Sequence, residues 1–276
     1  FLANDYDERS KLFGWREIFI IVGMIFVLAI PATMDFFGES STPAKVAGMG
    51  LFCLILFPIT AIATLVVVPD KVTERKEAPG WRDFLGILRS NPLLWRLLTA
   101  DFTTSFAISA TAALYIFVAT YAFDLQDQAS MALLLYFVAG FLAMPAWLKL
   151  TYRVGKVAAI KLAMGYTMVL QSGLFFVTEP GNVGLFWSYT FLAGLAFGAT
   201  PTLLHSMMAD LTDIDELETG QKRAGMYFAL LGTINKLGGA LAVGFTLTAA
   251  DTLFDFTPGA ANSQTAIDGL LLTFCF

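Results

Sequence analysis

One lysine stands where a charge is costly. Lys236 follows Arg223 by 13 residues inside an apolar run. That is about 20 Å along a helix rising ~1.5 Å per residue, too deep for easy snorkelling to the surface. An ammonium group at such depth normally faces a bundle interior or a water-filled cavity and marks a ligand pathway. The alternative is a structural lysine bonded to a buried carboxylate or to carbonyl groups. Gly225, Gly232 and Gly239 recur every seven residues beside it. At about 100° per residue Lys236 falls within about 60° of all three. The lysine is therefore expected to face a neighbouring helix across a smooth, closely packed contact.

Asp101 is six residues past Trp95, and Ser105 and Ser109 follow at steps of four. Roughly 9 Å into its helix, the carboxylate heads a polar stripe with Tyr115 close to the same face. Two readings fit: a cavity lining or partner for a buried cation, or a shallow carboxylate hydrated from the cytoplasm. Arg16 stands where the first apolar run begins, as an interfacial arginine would. Asp35, near the outer end of that run, reads as a solvated cap. His205 is the single histidine, placed as hydrogen-bonded structure or as a proton relay. Pro201, with Gly194 and Gly198, is expected to loosen or kink its helix. Asp210, Asp213, Asp215, Glu216 and Glu218 are dense enough to suggest a metal site, but the calcium-loop register is missing. A hinge salt-bridged through Lys222 and Arg223 fits better. The sequence lacks His-Glu-x-x-His, a P-loop and Gly-x-Ser-x-Gly, so no enzyme activity and no resident cofactor is expected.

The elements that position these residues are long and greasy. The chain is 57% hydrophobic and 14% charged, where a soluble domain carries roughly a quarter charged residues. Apolar runs occupy 16–37, 46–68, 93–122, 130–150, 157–177, 183–208 and 223–250, and another begins near 266. Such lengths can cross a bilayer, and backbone satisfaction in lipid requires helices. The expected fold class is an all-α membrane protein. Cys53 and Cys275 both lie in apolar runs, so no disulfide framework is implied. Fifteen of the 17 Lys and Arg residues fall on one side of the alternating runs. That bias predicts a cytoplasmic side carrying the charged connectors. Trp81–Leu88 has apolar residues at 81, 84, 85 and 88, the spacing of a short amphipathic helix on the membrane surface.

Two connectors resemble one another. Asp213-Ile214-Asp215-Glu216 precedes Lys222 and Arg223, and Asp5-Tyr6-Asp7-Glu8 precedes Arg9, Lys11 and Arg16, at an offset of 208 residues. Each copy leads into an apolar helix, as in a duplicated half. The expected organisation is therefore the end of an N-terminal half over 1–68, a central cytoplasmic loop over 69–91 and a six-helix half over 92–276. With no initiator Met and a truncated last run, the chain reads as a fragment covering about helices 5–12 of a twelve-helix protein.

The motifs carry a family resemblance. Ala209-Asp210-x-x-Asp213, then Lys222-Arg223-x-Gly225-x-Tyr227, then Lys236-x-Gly238-Gly239, resembles the connector between helices ten and eleven of the melibiose permease-like glycoside–pentoside–hexuronide:cation symporters of the major facilitator superfamily. Asp5-Tyr6-Asp7-Glu8-Arg9 with Phe13-Gly14-Trp15-Arg16-Glu17 resembles their connector between helices four and five. Pro145-x-Trp147, followed by Arg153-x-Gly155-Lys156, resembles the loop between helices eight and nine.

The resemblance implies secondary active transport of a sugar or glycoside, coupled to Na⁺, Li⁺ or H⁺, by alternating access. It assigns Lys236 and Arg16 to the substrate; the polar stripe adds Asp101 and Tyr115 as expected substrate-binding residues, and Lys236, Thr233 and Asn235 are expected to serve cation coupling. It assigns Asp5, Asp7, Arg9, Asp210, Asp213, Arg153 and Arg223 to a cytoplasmic gate. A guanidinium suits sugar hydroxyls because its donors fork across neighbouring oxygens. Pro201 stands where relatives stack a tryptophan on the sugar, and Gly232 stands where they have a threonine, with Thr233 beside it. A related branch carries lysophospholipids, so the alternative substrate is a lysophospholipid or another amphiphile. The implied setting is a monomer in the inner cell membrane, with the bilayer and a small solute as partners and no nucleic acid.

Overall fold

The computed structural model describes residues 6–37, 41–68, 86, 91–221 and 223–276, with side chains from residue 18 onward except at 35 and 42. Asp5, Lys222 and almost all of the connector expected at 69–91, including its amphipathic segment, lie outside the described residues. So do the side chains of Asp7, Arg9, Arg16 and Asp35, whose backbone is helical.

The helices follow the apolar runs closely. In chain order they are α1 (Tyr6–Phe36), α2 (Thr42–Val67), α3 (Pro92–Phe117), α4 (Ala129–Val154), α5 (Lys156–Val177), α6 (Val183–Gly194), α7 (Ala199–Thr219), α8 (Ala224–Phe254) and α9 (Gln264–Cys275). A π-helical turn, Val118–Ala122, extends α3. Among the described residues six segments are long and apolar enough to cross a membrane, and Ile18–Met34 adds a shorter apolar stretch. Backbone groups at helix starts are satisfied by side chains where the sequence supplies them. Asn91 Oδ1 accepts from the Leu93 and Leu94 amides at 3.1 and 3.2 Å, with Pro92 pre-set for the first turn. Asn182 and Ser263 cap α6 and α9 in the same way. Gly155 alone turns α4 into α5, at φ +83°, a conformation that a side chain would strain.

The run expected at 183–208 is broken. Its helix stops at Gly194 and restarts at Ala199 as α7. Pro201 explains the position of the gap. It lies in the first turn of α7, has no N–H to offer Phe197, and its ring would clash with that carbonyl in a continuous helix. The freed backbone is bonded elsewhere. Trp147 Nε1 donates to the Leu195 carbonyl at 2.7 Å and the Tyr166 hydroxyl donates to Leu192 at 2.8 Å. The acidic stretch after it also differs from expectation. It is helical through Thr219, so the connector between α7 and α8 shrinks to the few residues after Gly220, which closes α7 in the left-handed conformation at φ +68°.

Two apolar clusters pack the helices at opposite ends. One joins Leu114, Val118, Phe123, Phe186, Phe256, Leu270 and neighbours. The other joins Leu94, Leu98, Ile160, Leu204, Met208, Tyr227 and Leu231. The most extensive pairing is α3 with α8, and α4 packs on both α6 and α1. Gly238 and Gly239 permit the α3–α8 approach. A Cβ at Gly238 would lie 3.0 Å from the Phe102 carbonyl oxygen, and one at Gly239 would lie 3.1 Å from Ser109 Oγ. Of the stripe expected from Gly225, Gly232 and Gly239, only Gly239 meets α3, since nothing lies within 4 Å of a Cβ at Gly225 or Gly232.

Candidate functional site

Between the two apolar clusters lies a polar layer. On α3 the Leu94–Leu98 segment belongs to one cluster and Leu114 to the other, leaving Asp101, Ser105 and Ser109 between them. On α8 the corresponding stretch runs from Asn235 to Gly239. Asp101 is 2% exposed and Ser105 7%. Asn235 Nδ2 donates to Ser105 Oγ at 2.5 Å, and its amide also reaches the Asp101 carboxylate. Asp101 Oδ2 has no hydrogen-bond partner among the described residues. A buried carboxylate with an idle oxygen is costly, because nothing replaces the water it gave up. The four-residue step that marked Asp101, Ser105 and Ser109 in the sequence therefore places them on the α8-facing side of α3. The shallow, hydrated reading of Asp101 does not fit its burial.

His205 approaches this layer from α7. Its Nδ1 stands 2.8 Å from the Pro201 carbonyl, and its ring stacks on Phe228 at a centroid distance of 6.5 Å. A carbonyl only accepts, so Nδ1 carries the hydrogen and Nε2 is the basic nitrogen. One turn earlier, Thr202 Oγ1 is buried without a partner among the described residues.

The other expected site residues separate. Thr233 and Lys236 lie on the same helix as Asn235 but are exposed. Tyr115 is 14 residues beyond Asp101, about 21 Å along α3. There its hydroxyl donates to the Ala129 carbonyl at 3.0 Å and its ring stacks on Phe186. Arg16 is carried on α1, the helix that packs against α4.

At the connector end, charges pair across helix termini. Arg223 grips Asp215 with both carboxylate oxygens, Nη2 to Oδ1 at 2.7 Å and Nε to Oδ2 at 3.0 Å. Lys156 at the start of α5 meets Asp210 at 2.5 Å. Both cations offset the unfavourable acidic charge in the C-terminal part of α7. Asp213 is half-buried, and Arg153 is exposed on the last turn of α4. Sequence reasoning put Asp210, Asp215 and Arg223 in this salt-bridged hinge but not Lys156. The reversal at Gly220 returns Arg223 along the last turn of α7 and brings it to Asp215 among the five acidic residues.

Fold and site together define a multi-pass helical membrane protein with a buried polar layer in mid-span. The whole chain, residues 1–276, matches the family of MFS/sugar transport proteins, and the chain belongs to that family. An uncharacterised symporter of Synechocystis sp. is 28% identical over 181 residues, a match covering 60% of this chain and 33% of that protein. An uncharacterised 29.9 kDa protein from the crtE 3′ region of Pseudescherichia vulneris is 32% identical over 136 residues, covering 41% of this chain and 49% of that protein. The chain thus spans about one third to one half of the length of the curated relatives it matches.

Proposed function

We propose that the protein is a cation-coupled symporter that carries a sugar or glycoside by alternating access. The observation that carries this reading is the buried Asp101–Asn235–Ser105 layer. It holds a buried carboxylate with an oxygen unpartnered among the described residues, on a helix long and apolar enough to cross a membrane, with Thr233 and Lys236 exposed on α8. Polar groups at that depth are retained where a solute or ion passes. The family adds the substrate class, and the name of the Synechocystis relative agrees with symport. Lys236 would bridge substrate and cation by exchanging carboxylate partners as they bind. The Arg223–Asp215 and Lys156–Asp210 pairs, with Asp5, Asp7, Arg9, Asp213 and Arg153, would latch the cytoplasmic side when the cavity opens outward.

The test is uptake by the full-length protein in proteoliposomes. Labelled mono- and disaccharides are offered with and without an imposed Na⁺ or H⁺ gradient. Accumulation of one sugar under one gradient is the expected result. Failure of every sugar, with gradient-driven movement of a labelled lysophospholipid instead, would replace the sugar by an amphiphile.

A further inference from the structure

Resting on the symport reading above, we infer that the loop between α8 and α9 is a clasp on the last turn of α3, and that its release opens the end of the molecule opposite the charged connectors. The two apolar clusters fix the ends. Tyr227, near the start of α8, shares one cluster with Leu94, near the start of α3. Phe256, just past the end of α8, shares the other with Leu114 and Phe123, at the far end of α3.

The last turn of α3 is built as a joint. Its regular bonding changes at Val118, where the π-helical turn begins. The Phe123 amide donates to the Val118 carbonyl at 3.1 Å and the Leu125 amide to the Ala119 carbonyl at 2.8 Å, steps of five and six residues instead of four. Turns of this kind are uncommon, recur at functional positions and are places where helices bend. No proline lies between Pro92 and Pro145, so the widened turn is not a proline kink. Beyond it Asp124 leaves the helix in the left-handed conformation at φ +55°.

The loop is shaped in advance to grip this joint. Asn262 ties it into a ring. Its Oδ1 accepts from the Thr257 amide at 2.9 Å, and its Nδ2 donates to the Thr257 and Ala260 carbonyls at 3.0 and 3.1 Å. Two groups of the loop then meet α3. Phe256 is 1% exposed, with its ring edge-on to Tyr121 at a centroid distance of 5.2 Å and to Phe117 at 5.8 Å. The Gly259 amide donates to the Tyr121 hydroxyl at 2.7 Å, and this bond is exposed. Further in, α3 is fastened differently. A Cβ at Gly238 would press on the Phe102 carbonyl and one at Gly239 on Ser109 Oγ. Release at Tyr121 therefore breaks one exposed hydrogen bond and an aromatic edge contact, and leaves the close α3–α8 contact in place. Ser105 of the polar layer lies 13 residues before Val118, about 20 Å along the same helix. The joint thus governs the far end of the helix whose middle carries that layer, as the connector pairs govern the near end.

The closing experiment needs no substrate. Single cysteines are placed in the detergent-solubilised full-length protein, in a Cys53→Ser background because Cys53 is exposed. Ala122→Cys reports on the joint and Ala159→Cys on the connector-end cluster, positions that are 4% and 0% exposed. Labelling by a charged maleimide is followed at each site by peptide mass spectrometry. With the clasp intact, Ala122→Cys is expected to label faster than Ala159→Cys, as local opening requires. Adding Tyr121→Phe removes the acceptor of the Gly259 amide and is expected to speed labelling at 122 about fivefold, the effect of one lost hydrogen bond. Asn262→Ala, which loosens the loop without touching α3, is expected to act in the same direction. Neither is expected to change the rate at 159. Equal rates at 122 and 159 with the clasp intact overturn the proposal, since this end then opens only with the whole bundle, and that comparison stands even should a clasp variant misfold. A rate at 122 indifferent to both variants overturns it as well, and so does an equal rise at 122 and 159. Local opening without gradient-driven uptake of any sugar or lysophospholipid would instead sink the symport reading and leave the clasp in place. Uptake without local opening would do the reverse.

Discussion

Ser105 controls the polar layer without carrying charge. Its hydroxyl oxygen accepts the Asn235 amide, which keeps that amide beside Asp101. Ser105→Ala removes the acceptor and leaves a buried N–H short of a partner. We expect a loss of about 1 kcal/mol of stability, typical of interhelical hydrogen bonds in membranes, read as a lower thermal midpoint in detergent. Ser105→Thr keeps the oxygen and is expected to recover most of that loss. The α3 side of this pair was legible in the sequence, because the four-residue step from Asp101 to Ser109 already puts the polar atoms on one helix face. The α8 side was not. Asn235 lies 130 residues away, and spacing within one helix does not say which neighbour it will meet. Lys156 and Asp210, 54 residues apart, were hidden for the same reason.

Helix contacts sort the glycines into those that need their missing side chain and those that do not. A Cβ at Gly238 would press on the Phe102 carbonyl and Ser105 Cβ at 3.0 and 3.3 Å, while one at Gly232 meets nothing within 4 Å. Gly238→Ala is therefore expected to push α8 from α3 and to cost about 1–3 kcal/mol. Gly232→Ala is expected to be neutral or slightly stabilising, since alanine is the better helix former by up to ~1 kcal/mol. Comparable midpoints for the two variants would contradict the observed packing. The break between α6 and α7 gives a sharper pair. At Gly194 a Cβ would fall 2.2 Å from the Tyr136 carbonyl oxygen, which is backbone, whereas at Gly198 it meets the flexible end of Met144 at 2.9 Å. Gly194→Ala should cost about 3 kcal/mol or more and Gly198→Ala much less, by the same melting measurement. The sequence pointed to this break through Pro201, Gly194 and Gly198. On α8 its stripe was right at Gly239 and wrong at Gly225 and Gly232, because a regular seven-residue spacing marks a smooth face, not how much of it finds a partner.

On the scale of the molecule, Lys236 poses the question that the described helices leave open on that side. It lies near the middle of α8, on the flank of the α3 contact about 60° round the helix from Gly239, and is exposed. In hydrocarbon an ammonium at mid-span costs about 2.5–3.5 kcal/mol or more, so lipid is a poor covering for this face. Water, or another polar protein surface, is the favourable one. The packing of α1 against α4 shows that the first helices lean on the later ones, and a solute path between them would wet Lys236. This makes a directional prediction for Lys236→Cys placed in a Cys53→Ser background, Cys53 being exposed and Cys275 buried. In membranes holding the full-length protein, a membrane-impermeant charged maleimide should label position 236, and saturating substrate should slow that labelling. The same substitution at Phe245, an exposed apolar position two and a half turns further along α8, serves as the reference. Labelling of 236 only by a lipid-soluble reagent, at the Phe245 rate, would show that the face meets lipid. The lysine would then have to be a snorkelling or structural charge, and the role proposed for it in coupling would fall.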